Sequence, residues 1–294
     1  MDRRAFIKLV GLASVFSEAM VRRLLAAEQP TVAVAEGRDY GRATRNAVSL
    51  LGGMKQFVKP GAVVVIKPNM GWDRTPAQAA NTHPAVVKAL VEEALAAGAK
   101  RVKVFDRTCN DERRCYVQSG ISDALKGLRN VELKFIENER FRTVKIANAT
   151  VLKEWELYGE ALAADVFINV PVAKHHGLTR LTLGLKNVMG VMGGNRGSTH
   201  RHIEEALADI NSVVKSHLTV IDATRILTDH GPQGGDLKDV KVLNTVIAST
   251  DIVAADAYAT TLFGLKPADI PVTVAAHRRG LGEMNLNRVR VLKA

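Results

Sequence analysis

The chain has 294 residues, of which 47% are hydrophobic and 24% are charged, and this composition excludes an intrinsically disordered chain. Its 41 Lys and Arg residues exceed its 30 Asp and Glu residues, which gives a formal net charge of +11. Such an excess is typical of a protein with an anionic partner. The two cysteines exclude a self-contained ferredoxin, and an aromatic fraction of 5% disfavours a base-stacking surface, so we expect no nucleic-acid partner.

The first 27 residues resemble a twin-arginine export signal. Two adjacent arginines, an aromatic residue, an aliphatic residue and a lysine fall within residues 3–8, and an apolar stretch over residues 9–16 follows. That stretch is shorter than the roughly 20 apolar residues that a membrane-spanning helix needs. The alternative is a basic amphipathic helix that stays on a cytoplasmic protein.

From this resemblance we expect residues 1–27 to be the export signal and residues 28–294 to form one α/β domain. The expected location is the periplasm, or another compartment that the twin-arginine route reaches, and the translocase is an expected partner. Residues 1–27 supply +3 of the formal charge, so residues 28–294 keep +8. Most of the positive charge therefore belongs to the expected folded domain.

Short runs rich in β-branched residues alternate with helical stretches along the rest of the chain. Strands are predicted over residues 31–35, 62–66, 101–105, 131–136, 143–146, 165–170, 218–221, 240–243 and 245–248. Helices are predicted over residues 42–57, 84–98, 115–128, 152–164, 203–215 and 252–262. This alternation is typical of a mostly parallel, doubly wound, Rossmann-like α/β sheet with helices on both faces.

Polar side chains follow five of the predicted strands, and ligands of open parallel sheets bind beyond the carboxyl ends of strands. The residues at these ends are Lys67 with Asn69, Asp106, Lys174 with His175 and His176, Asp222, and Asp251. Surface loops are polar in any protein, so a solvated lysine is the alternative for each position. Adjacent side chains of a strand point in opposite directions, so we expect at most one of the paired histidines to face the site.

The residue types at these strand ends suggest roles in anion binding and proton transfer. Lysine neutralises anions, and neutral imidazole ligates metals or moves protons near pH 7. The predicted catalytic residues are His176, Lys174 and Asp106, with Asp222 and Asp256 as alternative orienting carboxylates. The predicted ligand-binding residues are Lys67, Asn69, Lys186, Asn187 and Arg196. The predicted metal ligands are His176 and His200, but no carboxylate at diagnostic spacing names the metal.

A glycine-rich segment over residues 190–197 precedes a predicted helix. Backbone N–H groups of such a segment, together with a helix start, suit anion binding. The segment matches neither the phosphate-binding loop of nucleotide triphosphatases nor the dinucleotide-binding glycine pattern. The alternative is a mobile lid over a binding site.

Cys109 and Cys115 are the only cysteines of the sequence. In an oxidising compartment they form a disulfide if the loop brings the sulfurs together, and otherwise they are free thiols. A third alternative is half of an iron–sulfur cluster shared across a homodimer. Nearby arginines would favour thiol reactivity in each case.

Several of these segments together resemble the uncharacterised domain-of-unknown-function family 362. The resemblance spans about residues 31–265 and rests on residues 64–69, 169–177 and 185–190, on His200, and on Asp251 with Asp256. It implies an α/β fold and the position of the site, and it makes His176 the better match for the family's histidine. Members are often described as iron–sulfur-centre proteins because many have a ferredoxin module, so we do not expect that description to transfer. A more distant likeness to lactate-racemase-type proteins, with lysine and histidines around a nickel cofactor, concerns the fold.

Three functions therefore stay open for the expected exported protein. The first is binding of a small anionic ligand, a metal ion or both at the carboxyl ends of the strands. The second is a redox accessory protein that uses Cys109 and Cys115. The third is a module that binds a polyanion or a membrane surface. The cofactor is unknown: a metal ion is open, and an iron–sulfur cluster is the less favoured alternative.

Overall fold

The computed structural model describes residues 29–294, so the predicted export signal and its boundary lie outside the described residues. The strands are β1 (Thr31–Glu36), β2 (Val63–Pro68), β3 (Arg101–Val104), β4 (Val131–Leu133), β5 (Phe141–Lys145), β6 (Glu154–Tyr158), β7 (Val166–Val170), β8 (Val172–His176), β9 (Arg180–Thr182), β10 (Leu218–Leu227), β11 (Val240–Ser249) and β12 (Arg290–Lys293). The α-helices are α1 (Tyr40–Leu50), α2 (Pro84–Ala96), α3 (Glu112–Gln118), α4 (Ile121–Leu125), α5 (Gly159–Leu162), α6 (Gly184–Asn187), α7 (Ile203–Val213), α8 (Ile252–Thr260) and α9 (Pro271–Arg278).

The main sheet is mixed and mostly parallel, as predicted. Its strand order is β12-β1-β11-β10-β7-β2-β3-β4, and β8 pairs with β10 and β9 beside this path. The pairings within the run from β10 to β4 are parallel. β11 is antiparallel to both of its neighbours, and β8 is antiparallel to β9.

Helices cover both faces of this sheet because successive strand residues point to opposite sides. In β2, Val64 and Ile66 pack into a core formed with α1, α2, α3 and α4. Val65 between them packs into a second core, to which α7 and α9 contribute. All three side chains are fully buried, and each contributes about 1.5–3 kcal/mol by leaving water. The predicted doubly wound arrangement is therefore confirmed.

The strand order reverses between β2 and β7, which are adjacent and parallel. From β2 the chain proceeds to β3 and β4 on one side, whereas from β7 it proceeds to β10 on the other. The connections therefore leave these two strands in opposite directions and open a crevice beyond their carboxyl ends. Lys67 and Asn169 are paired at that end of the two strands.

The helix predicted over residues 152–164 is wrong in its first half. Residues 154–158 form β6, which pairs with β5 in a separate antiparallel hairpin, and only the short α5 follows. The hairpin packs on the glycine-rich segment, where Gly193 N donates to Glu156 O at 2.7 Å. Pairing with β5 and contact with that segment outweigh the local helical pattern, which is common for strands.

Two other differences concern strands around the crevice. Pro171 separates β7 from β8 by one residue only. The strand β8 then contains the Lys174-His175-His176 sequence. The strands predicted over residues 240–243 and 245–248 form one continuous β11. Because β11 is antiparallel to β10, Asp251 at its end lies at the opposite edge of the sheet from the crevice. Within residues 29–294, none of the helices is long and apolar enough to cross a bilayer.

Candidate functional site

A cavity of about 350 Å³ opens at the carboxyl ends of β2, β3 and β8. It brings together almost all of the residues that the sequence nominated. Those that line it are Lys67, Asn69, Asp106, Cys109, Lys174, His176, Lys186, Asn187, Arg196 and His200. Cys115 does not line it. The cavity thus forms from loops that are distant in sequence but follow neighbouring strands.

Lys67 is fully buried on one wall of this cavity. Its ammonium donates to Pro68 O at 2.8 Å and to Asn187 Oδ1 at 3.0 Å, and it lies 2.8 Å from Asp106 Oδ1. Burial lowers the pKa of Lys67 more than Asp106 raises it. The other oxygen of Asp106 accepts from Met70 N at 2.7 Å, which fixes the carboxylate against the β2 loop.

A row of amide side chains supports the bottom of the cavity. Asn187 Oδ1 accepts from Asn69 Nδ2 at 3.0 Å, in addition to the bond from Lys67. Asn187 Nδ2 donates to Asn169 Oδ1 at 2.8 Å, and Asn169 Nδ2 in turn donates to Gly184 O at 2.9 Å. These bonds leave the buried amides satisfied and hold the loop after β2 against α6.

Lys174 is almost completely buried, and no carboxylate contacts it within residues 29–294. Its ammonium donates to Asn69 Oδ1 at 3.1 Å and to Ala80 O. Burial, with Lys186 and Lys67 nearby, lowers the pKa of Lys174 to about 7. Burial of a cation without an ionised partner costs free energy. Lysines with such strongly lowered pKa values are common at ligand-binding and catalytic sites.

Lys186 lies on the short helix α6, and its ammonium likewise has no carboxylate partner among the described residues. Its only hydrogen-bonding contact there is Met189 Sδ, at 2.9 Å. A thioether is a weak acceptor, so the ammonium is poorly compensated. Burial and the charges of Arg196 and Lys67 lower the pKa of Lys186 to about 8.

His176 has a defined tautomer, because backbone N–H groups can only donate. Leu178 N and Thr179 N both donate to His176 Nδ1, at 3.1 and 3.3 Å. Burial and neighbouring lysines lower the pKa of His176 to about 3, so the neutral ring has its proton on Nε2. The ring therefore offers the cavity an N–H donor and no lone pair. As predicted, its neighbour points elsewhere: His175 accepts from Gly231 N and lines a separate cavity.

The predicted metal site is not assembled from the described residues. His176 and His200 line one cavity, but residues 29–294 contain no cluster of three or more His, Cys, Asp or Glu side chains placed to hold a metal ion. With its Nδ1 accepting from the backbone, His176 also lacks a free lone pair for ligation. We assign His176 to hydrogen-bond donation.

Arg196 lines the cavity and also forms hydrogen bonds between the glycine-rich segment and the loop after β3. It donates to Arg107 O at 3.0 Å and to Thr108 O at 2.7 Å, which are backbone acceptors in the loop after β3. Arg107 donates in the reverse direction to Met192 O and Gly194 O, at 2.7 and 3.1 Å. The glycine-rich segment is consequently hydrogen-bonded to the β3 loop, and its residues 190–193 are buried. This packing does not support a freely mobile lid.

Gly190 is the member of the glycine-rich segment that matters most for the cavity. A Cβ at this position would overlap the Asp106 carboxylate and the end of the Lys67 side chain. Glycine is therefore required so that the backbone can pass over the buried ion pair. Gly197 also lines the cavity, whereas Gly193 and Gly194 lie against the β5–β6 hairpin.

Three carboxylates that the sequence placed near the site do not line the cavity. Asp256 accepts from Gly184 N at 2.7 Å and from Leu185 N at 2.9 Å, and so holds the start of α6. Burial raises the pKa of Asp256 to about 7, because no cation contacts it. Asp222 accepts from His83 N at 2.6 Å at the start of α2, and Asp251 accepts from Ala254 N at the start of α8. Their direct roles are structural.

The two cysteines are both free and lie in different surroundings. Cys109 is exposed, lines the cavity and accepts from Arg196 at 3.5 Å. Cys115 is fully buried on α3 in the core, and burial raises the pKa of its thiol to about 11. Of the alternatives for this pair, the structure shows free thiols. A buried thiol with a raised pKa is unreactive, so redox exchange between the two is not supported.

Several residues that line the cavity were not predicted from the sequence. They are Gly71, Trp72, Arg107, Thr182, Met189 and Pro232. Arg107 stands directly after Asp106, so the rule that located Asp106 could have included it. Pro232 comes from a loop far along the chain, and no local signal in the sequence indicates its approach.

Comparison with known proteins finds a matching family model and a curated relative. The family model described as Domain of unknown function (DUF362) matches residues 64–261. A thylakoid-associated protein of Synechocystis is 29% identical over 245 residues, which cover 81% of this chain and 74% of that protein.

Two solved structures are similar to the chain at low identity. A protein from Thermotoga maritima has a TM-score of 0.46 and 14% identity, and covers 78% of this chain. The lactate racemase apoprotein from Thermoanaerobacterium thermosaccharolyticum has a TM-score of 0.46 and 11% identity, again over 78% of this chain. The chain spans 60% and 56% of the lengths of these two proteins, respectively.

Proposed function

The chain belongs to the DUF362 family, and from the cavity that this family segment forms we propose that the protein binds a small anionic ligand there. One observation is the main support. Asp106 is the only carboxylate among the described residues that line the cavity, and Lys67 already pairs with it. Lys174 and Lys186 therefore bring positive charge to the cavity, and no second carboxylate among the described residues of its lining balances it.

The proposed roles follow from the free hydrogen-bonding capacity of each residue. Lys186, with only a thioether as its contact, is the main partner of the anionic group. Arg196 adds charge from a fixed position, because backbone carbonyls hold its guanidinium. His176 donates a hydrogen bond from Nε2. The buried ion pair of Lys67 and Asp106 forms one fixed wall of the cavity.

The size and chemistry of the cavity restrict the ligand. A volume of about 350 Å³ is at the small end for ligand pockets, so the ligand is a small molecule. Lysine, arginine and imidazole N–H donors suit carboxylate or phosphate oxygens. We favour this function over binding of a polyanion or membrane surface, because Lys174 and Lys186 line a small cavity and do not form part of a broad exposed face.

Anion titration tests this proposal. In a Trp155→Phe background, Trp72 on the cavity wall is the remaining tryptophan, and its fluorescence reports binding of oxalate, sulfate or phosphate. We expect saturable binding, and a loss of about tenfold or more in Lys186→Met, because hydrogen bonds to charged groups contribute about 1.5–3 kcal/mol. Lys55→Met removes an exposed lysine far from the cavity lining and serves as the matched control.

Unsaturable binding, or equal affinity in Lys186→Met and Lys55→Met, would contradict the proposal. Salt-sensitive binding to DNA or to anionic vesicles that survives Lys186→Met would favour the polyanion function instead. Circular dichroism and urea unfolding of each variant separate loss of binding from loss of fold.

We also propose that the protein is exported. The support is the resemblance of residues 3–8 to a twin-arginine signal, together with a thylakoid-associated relative. Cell fractionation of the full chain should recover it outside the cytoplasm, whereas the paired change Arg3→Lys and Arg4→Lys should retain it inside. Equal distribution of both proteins would show that the arginines do not direct export.

A further inference from the structure

Two buried lysines of the cavity differ in the number of acceptors around their nitrogen. Lys67 Nζ has three oxygens within 3.0 Å: it donates hydrogen bonds to two of them, and the third belongs to the Asp106 carboxylate, with which it forms an ion pair. Lys174 Nζ has two, Asn69 Oδ1 and Ala80 O. Nitrogen of a lysine side chain is tetrahedral, so Lys174 keeps one direction without a hydrogen-bond acceptor among the described residues, and the residue lines the cavity.

The two acceptors of Lys174 are neutral, and this affects which form of the amine they stabilise. A neutral amine retains two N–H groups, which satisfy Asn69 Oδ1 and Ala80 O. Loss of the third proton then leaves a lone pair in the remaining direction. Lys67 cannot do this without abandoning the Asp106 carboxylate. The surroundings of Lys174 therefore orient a nucleophilic nitrogen, whereas those of Lys67 fix an ammonium.

We propose that Lys174 Nζ forms an imine with an aldehyde or ketone group of the anionic ligand, so the ligand class is a small oxo acid or another carbonyl-bearing anion. The inference rests on the proposed function, since Lys186 and Arg196 hold the anionic group. It adds a covalent step and a substrate class to that function.

The step is balanced without an oxidant or a reductant. The lone pair of Nζ attacks the carbonyl carbon, and the π electrons of C=O move to the oxygen, which takes a proton to give a carbinolamine. Nitrogen loses its extra proton, the hydroxyl takes a second proton and leaves as water while the nitrogen lone pair forms C=N, and the resulting iminium loses the last nitrogen proton to give the imine. The Lys186 ammonium and the Nε2–H of His176 are donors in the same cavity for the departing oxygen.

The charges around Lys174 favour the amine at neutral pH. The pKa of Lys174 is lowered to about 7: burial has the largest effect, Lys186 and Lys67 act in the same direction, and Cys109 and Asp106 oppose it. Because the folded pKa lies below the ordinary value for lysine, the reactive amine becomes populated as pH rises through about 7. Lys186, with a pKa of about 8, stays mostly charged at that pH and keeps its role as the anion partner.

Reductive trapping tests the imine on the full chain. The protein is incubated with pyruvate or glyoxylate and sodium cyanoborohydride, and intact mass followed by peptide mapping locates the adduct. We expect one adduct, on Lys174, with a yield at saturating oxo-acid concentration that rises from pH 6 to pH 8. Oxalate, which has no ketone or aldehyde, should protect Lys174 by competing for the anion partners.

Matched variants separate the covalent step from binding. Lys174→Arg keeps a long cationic side chain, and we expect it to form no adduct; its oxalate affinity is measured in parallel, because Lys174 also contributes charge to the cavity. Lys186→Met should need a higher oxo-acid concentration for the same adduct, because its defect is in binding. Lys55→Met should behave as the unmodified protein. Urea unfolding of Lys174→Arg and of a second variant, Lys174→Gln, confirms that the compared proteins are folded.

The outcomes distinguish the two levels of the proposal. Oxalate binding without an adduct on Lys174, or adducts spread over surface lysines that persist in Lys174→Arg, would overturn the imine and leave anion binding intact. If the unmodified protein does not bind oxalate, the proposed function is wrong, and the imine proposal fails with it. A single adduct on Lys174 that oxalate suppresses supports both.

Discussion

The ammonium of Lys67 lies 2.8 Å from the carboxylate of Asp106, and both side chains are almost completely buried. Asp106 is the single carboxylate among the described residues of the cavity lining, and its charge is balanced by Lys67. Lys174 and Lys186 remain without an ionised partner as a result. The charge imbalance on which the proposed function rests is therefore a direct consequence of how Lys67 and Asp106 are paired.

Removal of one member of this pair should strongly destabilise the protein. Lys67→Met leaves Asp106 buried without its cation, and we expect a loss of about 3–5 kcal/mol in the free energy of unfolding. The double change Lys67→Met with Asp106→Leu removes both charges and should recover part of that loss. Urea unfolding measures both. Destabilisation of the double variant equal to the sum of the values for Lys67→Met and Asp106→Leu, each measured alone, would show that the two residues are not energetically coupled.

A side chain at Gly190 should disturb the same ion pair. In Gly190→Ala the new methyl group overlaps Asp106 and Lys67, so we expect a loss of at least about 1–3 kcal/mol, the usual cost of overpacking. Gly37→Ala is the control, because a Cβ there meets no atom within 4 Å. Comparable unfolding midpoints for the two variants would be inconsistent with close passage of the backbone over the pair.

Anion affinity should fall as pH rises. The pKa values of Lys174 and Lys186 lie at about 7 and 8, and a bound anion favours the charged form of each. Oxalate stays ionised from pH 6.5 to 9, so over that range we expect weaker binding at higher pH, by up to about tenfold per pH unit for each lysine that titrates. Calorimetry in buffers of different ionisation enthalpy should detect proton uptake on binding. Lys186→Met should flatten the part of the profile near pH 8, and an unchanged profile would contradict its role.

Asp256 should make stability depend on pH in acid. Its folded pKa of about 7 lies above the ordinary value of 3.8, so the folded state binds more protons between these limits. The free energy of unfolding should therefore fall as pH rises from about 4 to 7, with a contribution of at most about 1.4 kcal/mol per pH unit from this group. Urea unfolding of Asp256→Asn at several pH values should lack that contribution. Asp123→Asn, at an exposed site, should keep it.

The cysteines should differ in their reaction with a thiol reagent. Cys109 is exposed on the cavity wall and should react in the native protein, whereas Cys115 should react only after unfolding, since burial raises its pKa to about 11. Mass spectrometry of the labelled native protein should find one modification, absent from Cys109→Ser. Oxalate should slow the labelling because it occupies the same cavity. Rapid labelling of both thiols under native conditions would contradict the burial of Cys115.

The composition of the cavity was largely readable from the sequence, because parallel strands deliver the residues at their carboxyl ends to one edge. Lys67, Asp106 and Lys174 each follow a run of buried residues, and this position alone nominates them. The same rule misplaced Asp251, since β11 is antiparallel and its end lies at the other edge. Strand direction is a property of pairing, and no local pattern in residues 240–249 specifies it.

Residues 152–164 show a second limit of the sequence. The segment has a helical apolar pattern, but β6 forms because β5 and the glycine-rich segment supply strand partners. The partners lie up to about 35–40 positions away in sequence, so short windows cannot include them.

The sequence by itself determined the alternation of strands and helices, the positions of the strand-end lysines and the membership of residues 64–261 in one family. These features depend on hydrophobic periodicity and on residue identity, which are local. The tertiary structure decided which lysine has a carboxylate, which histidine nitrogen is protonated and which cysteine is accessible. Each of these depends on burial and on contacts between residues far apart in the chain, because desolvation and hydrogen bonding act through space.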